Sequence, residues 1–421
     1  MKNIMSVNVS KNIDNLIYLH NEEINNEKEI TKEEIDNLLK SIKQNLDYVK
    51  KSDVIAVGLS GGVDSSTTLL LLKLLGFNVI GLTMKIWDEQ YNKLFNINKE
   101  SRIHGCFGPE EFEDIEDCIK LTKQLDVDYY VIDLTKEYQD VVLNYFKKEY
   151  LDGRTPNPCV MCNWKMKFEY LLEKAINSNI KFDYFATGHY VKKIRFRNYF
   201  TLQKANYLKK DQTYYLSFLN QKHLEKSIFP LGLVESKNQV RLIAKYYNLP
   251  TYNRVDSQNF ISTSYIEIFK NEQITDGIIV DKYGNFLANH KGIHNYTIGQ
   301  RKNIGVSLGK RLYVISIDKE KNTVIVGDKE DLYQDKFIVK NLNWILPIDY
   351  IKEINKEEGI LVKIRYTHKE SPAKLNFIEK DTILVEFKEK QLAITPGQIS
   401  VFYYQDILLG AGIIDKIIFF N

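Results

Sequence analysis

The stretch 53-DVIAVGLSGGVDSSTTLLLLKLLG-76 decides the architecture. DVIAVGLS is a short apolar, β-rich run that ends in glycine, and SSTTLLLLKLLG has the composition of a helix closed by Gly76. Between them lies Gly58-Leu59-Ser60-Gly61-Gly62-Val63-Asp64-Ser65-Ser66. Glycines at a strand-to-helix junction let the backbone approach an anion, and the free N–H groups at the helix start complement its charge. The Gly-Lys-Ser/Thr ending of a Walker A loop is absent.

Reading outward, strand and helix patterns alternate. NVIGLTMKI is a second strand, PEEFEDIEDCIKLTKQLD a helix, VDYYVIDL a strand, and YQDVVLNYFKKEYLDG a helix. After a loop holding two cysteines come helix KFEYLLEKAINSN and strand FDYFATG. Such alternation predicts an α/β fold: a parallel sheet with helices on both faces, ligands gathering at the carboxyl ends of its strands. Beyond about Tyr265 the helices are expected to stop, and short alternating runs broken by Gly, Asp and Asn predict two small mostly-β domains. The expected division is a partly helical N-terminal extension (1–52), the α/β catalytic domain (53–264), a central β domain (265–334) and a C-terminal β-barrel-like domain (335–421). In the extension, a flexible leader is expected before a helix with Thr31 and Glu34 as a capping box, and with Ile35, Leu38, Leu39, Ile42 and Leu46 on one face.

At 421 residues, 44% hydrophobic and 27% charged, the chain has material for two or three cored domains. A net charge of +3 is too small to imply nucleic-acid binding by itself, so any such surface must be local. Four cysteines are too few for a secreted disulfide framework, no apolar run reaches membrane-spanning length, and a cytoplasmic setting is expected.

The Ser60-Gly61-Gly62-x-Asp64-Ser65 string resembles the pyrophosphate loop of ATP pyrophosphatases, which cleave ATP between the α and β phosphates. That resemblance implies ATP on residues 58–66, with the backbone of Ser60, Gly61 and Gly62 and the hydroxyls of Ser65 and Ser66 around the departing pyrophosphate. Asp64 would hold Mg²⁺. Met84 would bracket adenine or else serve as a core methionine, and Gly188 would admit the nucleotide closely. The loop alone fits GMP synthase, asparagine synthetase or a tRNA-modifying enzyme equally.

GRTPNPCVMCNWKMKF (153–168) resembles a segment of the tRNA-specific 2-thiouridylases (the MnmA family), which reads GRTPNPDxxCNxxxKF there. ATGHY, KKDQTYYLSFL, IFPLG, YTIGQRKNIGV, LNWI, KIRYTH and AITPGQISVFY match the same family, in order, from about residue 53 to the C-terminus. The resemblance implies ATP-dependent replacement of the 2-oxygen of wobble uridine 34 by sulfur. It implies tRNA, through its anticodon stem-loop, as partner, and a sulfur donor such as a cysteine desulfurase or relay protein. The matched tRNA-contact positions are Asn157, Pro158, His189, Lys210, Asp211, Gln212, Arg365, Tyr366 and Gln398. Asn157 and Pro158 would line the pocket for a flipped-out base.

Two positions depart from the family pattern. Cys162 keeps the first family cysteine, but Cys159 stands where the family has Asp, and Ile261 stands where the family carries its persulfide cysteine. Cys159, Cys162 and Asp64 are thus the expected catalytic set. Cys106, before the helix that follows the second strand, suggests a third thiol. Cys106, Cys159 and Cys162 resemble the ligand set of cluster-dependent tRNA thiolases, which would give a [4Fe–4S] cluster delivering sulfide. A cluster-free persulfide on Cys162 or Cys159, a zinc site, a redox pair and a non-thiolating tRNA-binding paralogue are the alternatives. Cys118 has the spacing of a buried core thiol.

Overall fold

The computed structural model describes residues 4–7, 29–88, 90–91, 105–254, 259–262, 265–306, 309–357 and 359–418. They form two compact units. The first comprises Met1–Glu137, Trp164–Thr213 and Gln221–Ser264; the second comprises Tyr138–Asn163, Tyr214–Asn220 and Tyr265–Asn421.

In the first unit, strands β1 (Ile4–Val7), β2 (Val54–Gly58), β3 (Asn78–Lys85), β5 (Asp128–Asp133), β6 (Tyr184–Ala186) and β9 (Ser227–Ile228) form one sheet in the order β1-β5-β3-β2-β6-β9. β1 is antiparallel; the other five run parallel. β2 is followed through the sheet in one direction by β3 and β5, and in the other by β6 and β9. The order therefore reverses between β2 and β6, and a crevice for a ligand opens at such a switch point. A buried core of Ile55, Val57, Leu69, Leu72, Leu121, Tyr129 and Ile243 joins the sheet to the helices Val63–Leu74, Glu111–Gln124 and Lys237–Tyr246. The helix Lys32–Asn45 adds Ile35, Leu38 and Ile42 to that core, and its Thr31–Glu34 capping box is formed. Most of the leader expected to be flexible, 8–28, lies outside the described residues. A short parallel pair, β4 (Gly105–Phe107) with β10 (Asn259–Ile261), and an antiparallel hairpin, β7 (Val191–Phe196) with β8 (Tyr199–Lys204), complete this unit.

The second unit holds two β modules. β11 (Gly277–Asp281), β12 (Phe286–His290), β13 (Tyr313–Asp318) and β14 (Thr323–Gly327) form a sheet in the order β12-β11-β14-β13 over Ile279, Val314, Val324 and Val326. β15 (Tyr333–Trp344), β16 (Ile360–Lys363), β17 (Ser371–Glu379), β18 (Thr382–Leu392), β19 (Ile399–Tyr404) and β20 (Ile407–Ile417) run in the order β15-β18-β17-β16-β19-β20. β15 also pairs with β20, which closes these six strands into a barrel and removes their free edges. Two expectations are corrected. Helix does not stop at residue 265, because Ile348–Glu357 is helical and buries Ile351 and Ile354. The two-cysteine segment is not a loop: Pro158–Met161 begins a helical stretch that runs through a π-helical portion, Cys162–Tyr170, into Leu171–Asn177.

Candidate active site

In the first unit, β2 ends at Gly58, and Gly62 caps the helix that starts at Val63. Gly61 takes φ +71°, and a Cβ there would sit 2.6 Å from the Asp114 Cβ, so only glycine fits the loop. Ser65 and Ser66 turn their hydroxyls onto the Gly62 carbonyl at 3.1 and 3.0 Å, and the Ser60 N–H donates to Ser65 Oγ at 3.2 Å. Leu59 and Val63 are buried beneath this turn. Met84 is half-buried at the end of β3.

Asp64 lies on the first turn of the helix and carries the densest charge cluster of the loop. Its Oδ1 accepts from Lys237 Nζ at 2.7 Å and from the Tyr190 hydroxyl at 2.6 Å. Its Oδ2 accepts from Lys210 Nζ at 3.2 Å. Lys237 is the first residue of the helix capped by Ser236, whose side chain accepts from the Gln239 N–H. Sequence reasoning missed Lys237; the serine cap of VESKNQVRLI marks a helix start, but nothing in the pattern marks its proximity to Asp64. Lys210, matched as a tRNA contact, thus bonds the glycine-rich turn through Asp64.

Across the switch point, Gly188 follows β6. A Cβ there would lie 2.8 Å from the Asp64 carbonyl carbon and 2.9 Å from the Ser65 nitrogen, so its small size lets this segment pack on the loop itself. His189 is buried, with Nδ1 2.7 Å from Thr187 Oγ1; burial, then the nearby Lys167 charge, holds its pKa well below the usual value, so the ring is neutral. Asp211 is buried and accepts from the Ala205 N–H and the Thr213 hydroxyl, and Gln212 accepts from the Tyr190 N–H at 2.9 Å. These residues fix the turn that presents Lys210.

In the second unit, Asn157 caps the cysteine helix, its Oδ1 accepting from the Val160 N–H at 3.2 Å, and Pro158 occupies the first turn, where its missing N–H costs nothing. Cys159 and Cys162 are half-buried and three residues apart on one helical stretch, a spacing that puts side chains on neighbouring positions. Gln398, just before β19, donates to the Thr155 and Pro156 carbonyls at 3.1 and 3.0 Å and accepts from Asn157 Nδ2 at 3.4 Å. It therefore ties the entry of the cysteine helix to the barrel. The Tyr214 hydroxyl donates to the Ile399 carbonyl at 3.0 Å, Tyr366 packs on Tyr215 with centroids 4.6 Å apart, and half-buried Arg365 donates to the Leu392 carbonyl at 2.7 Å.

The remaining thiols are both in the first unit and differ sharply. Cys118 is 1% exposed beneath the glycine-rich loop, and burial pushes its thiol up to about 11. Cys106 is exposed on β4. β4 pairs with β10, Gly105 opposite Asn259 and Phe107 opposite Ile261, so Cys106 lies beside the segment that holds Ile261. Ile261 itself is buried at 6% exposure. Among the described residues, no three His, Cys, Asp or Glu side chains gather as a metal-binding group. No such group supports a [4Fe–4S] cluster on Cys106, Cys159 and Cys162.

A glycine-rich anion loop at the switch point of a parallel sheet, followed in the chain by two β modules, defines an α/β enzyme of the pyrophosphate-loop class. Family models match in chain order: a tRNA methyl transferase HUP domain over 53–263, a tRNA methyl transferase PRC-barrel domain over 264–328, and an aminomethyltransferase beta-barrel domain over 334–414. The chain belongs to the tRNA-specific 2-thiouridylase family. It is 42% identical over 369 residues to tRNA-specific 2-thiouridylase MnmA of Caldicellulosiruptor saccharolyticus, covering 86% of this chain and 98% of that one. It is 40% identical over 370 residues to the MnmA of Clostridioides difficile, with the same coverage. No helix among the described residues is long and apolar enough to cross a membrane.

Proposed function

We propose that this protein is an ATP-dependent tRNA-uridine 2-sulfurtransferase acting on uridine 34, in the cytoplasm. The observation that carries the reading is the glycine-rich, cation-flanked loop at the switch point of a chain similar over nearly their whole length to tRNA-specific 2-thiouridylases. ATP lies on residues 58–66, with Met84 and Gly188 beside it. Asp64 is the carboxylate that would hold Mg²⁺, which when bound offsets the polyphosphate charge; a hard oxygen donor on the loop fits that ion. The uridine 2-oxygen attacks the α-phosphorus, the bond to the β-phosphate oxygen breaks, and pyrophosphate leaves. A sulfur nucleophile then attacks C2, and AMP departs with the former 2-oxygen.

The sulfur is carried as a persulfide on Cys162 or Cys159. Its outer sulfur bonds to C2, and the partner thiol attacks the inner sulfur. The products are a thiocarbonyl and a Cys159–Cys162 disulfide, which a dithiol reductant reopens. A cysteine desulfurase or relay protein supplies the persulfide. Asn157, Pro158, Gln212, Arg365, Tyr366 and Gln398 serve the tRNA surface, the first three from the domain at 53–264 and the last three from that at 335–421. The pairing of β4 with β10 favours a second reading, in which Cys106 takes over the relay from the position of Ile261. A [4Fe–4S] cluster rests on the likeness of Cys106, Cys159 and Cys162 to the ligand set of cluster-dependent tRNA thiolases; iron and acid-labile sulfide in anaerobically purified protein measure it directly.

The test is nucleoside mass spectrometry of tRNA from cells whose only copy is wild type or Asp64→Ala. Wild type restores 2-thiouridine and the variant does not. An absence of 2-thiouridine even with wild type leaves a tRNA-binding paralogue as the answer.

A further inference from the structure

We infer that Arg254 is a positioning residue for ATP: it offsets the Asp114 carboxylate beneath the glycine-rich loop, so that a polyphosphate settles there without facing that charge. This rests on the reading of residues 58–66 as the ATP loop. The need for such a residue begins in the sequence. The run PEEFEDIED (109–117) places six acids at the start of the helix Glu111–Gln124. Acids there complement the helix N-terminus. The same helix, however, packs directly against the loop. A Cβ on Gly61 would meet the Asp114 Cβ at 2.6 Å and its carbonyl oxygen at 2.9 Å. A carboxylate in that place, left without a counter-charge, repels a polyphosphate bound to the loop.

The structure gives these acids separate partners. Glu111 turns to the Ile86 and Trp87 N–H groups, and Glu110 accepts from the Ser262 hydroxyl at 2.9 Å. Glu113 and Glu116 are exposed. Asp117 pairs with Lys120 of its own helix at 3.1 Å. Asp114 is met from outside the helix: an Arg254 nitrogen lies 3.0 Å from its Oδ1, and another lies 2.9 Å from Asp117 Oδ2. Among the described residues, Arg254 is the cation that pairs with Asp114. Its backbone is held independently of that helix. The Arg254 N–H donates to the Thr251 carbonyl at 3.0 Å, and Arg241, from the helix Lys237–Tyr246, donates to the Tyr252 carbonyl at 3.3 Å. Burial pushes the Asp114 carboxyl up to about 6, and the Arg254 charge opposes that shift. At pH 7.5 the group is therefore ionised, and the guanidinium matches its charge.

The experiment is calorimetric binding of ATP, ADP and AMP to the full-length protein at pH 7.5 in EDTA. It compares wild type, Arg254→Met, Asp114→Asn and the double variant Arg254→Met with Asp114→Asn. Arg254→Met should weaken ATP about tenfold, the scale of one partly screened carboxylate near a polyphosphate, with a smaller loss for ADP and the smallest for AMP. That grading with ligand charge marks an electrostatic role, since a merely distorted loop loses all three alike. Adding Asp114→Asn should bring ATP back to within about threefold of wild type, because the charge to be offset is gone. Asp114→Asn alone keeps size and fold and should tighten ATP by about threefold. A uniform loss across the three nucleotides, a loss that Asp114→Asn does not relieve, no loss at all, or weaker ATP binding in Asp114→Asn alone overturns the assignment. Wild-type protein that binds none of the three overturns the ATP-loop reading beneath it.

Discussion

At the scale of single residues, the glycine-rich loop proposed to hold ATP is specified by steric exclusion as much as by chemistry. Gly61 needs both a positive φ and the space that Asp114 denies to any Cβ. Gly61→Ala therefore costs about 2–4 kcal/mol from left-handed backbone strain and overpacking, and should lower the melting temperature and ATP affinity together. A variant with unchanged melting temperature and ATP affinity would contradict this account of the loop. The thiols make a second residue-scale prediction. Cys106 is exposed, whereas Cys118 is 1% exposed with its thiol pushed up to about 11, so both access and ionisation protect Cys118. Iodoacetamide on native protein at pH 8, mapped by mass spectrometry, should label Cys106 and spare Cys118. Comparable labelling of both would mean that the core beneath the loop opens freely. Of the residues matched to RNA contacts, His189 and Asp211 are buried and hydrogen-bonded within the first unit. Their matches were legible in the sequence; their local duties were not, because burial is set by distant packing.

At the scale of elements, the end of β3 is held by a carboxylate from the helix Glu111–Gln124. Glu111 accepts from the Ile86 and Trp87 N–H groups at 2.7 and 3.0 Å, and burial pushes its carboxyl up to about 7 despite those donors. Its folded pKa lies above the unfolded value, so its stabilising contribution is complete below about 4.5 and is lost as pH rises through about 7. Glu111→Gln lowers stability at acid pH, because its amide cannot accept from both N–H groups. It should also remove this part of the pH slope. Melting temperatures from pH 5 to 8 should fall less steeply for the variant than for wild type, and parallel slopes would refute the assignment. Which elements were readable follows from their pattern. The β2 strand and its helix announced themselves through an apolar run, glycines and a second apolar run. The helix Ile348–Glu357 carries Ile348, Ile351 and Ile354 at helical spacing but stands alone among strands, so the surrounding β pattern hid it. The β7–β8 hairpin turns through Arg197 and Asn198, both at positive φ, without the glycine that usually marks such a turn. The helical start at Pro158 was masked by the Asn-Pro pair, which reads equally as a turn.

At the scale of the whole molecule, the residues proposed for activation and those proposed for sulfur transfer belong to different compact units. Asp64 and the loop 58–66 are in the first; Cys159 and Cys162 are in the second. Sequence motifs exposed both groups because each is local along the chain. The approach of Lys210 and Lys237 to Asp64 required the fold. This partition makes the two half-reactions separable by substitution. With substrate tRNA and Mg²⁺·ATP, Cys162→Ser should still release pyrophosphate, since the hydroxyl keeps the size of the thiol and the activation residues are untouched. It should form no 2-thiouridine, because serine can neither hold a persulfide nor attack the inner sulfur of one on Cys159. Asp64→Ala should lose pyrophosphate release by about 100-fold or more, the scale of a lost charged ligand in a preorganised site, and thiolation with it. A coupled assay for pyrophosphate beside mass spectrometry of the tRNA reads both in one reaction. Loss of pyrophosphate release in Cys162→Ser would instead mean that the thiol takes part in activation. The two units would then share one step rather than perform two in succession.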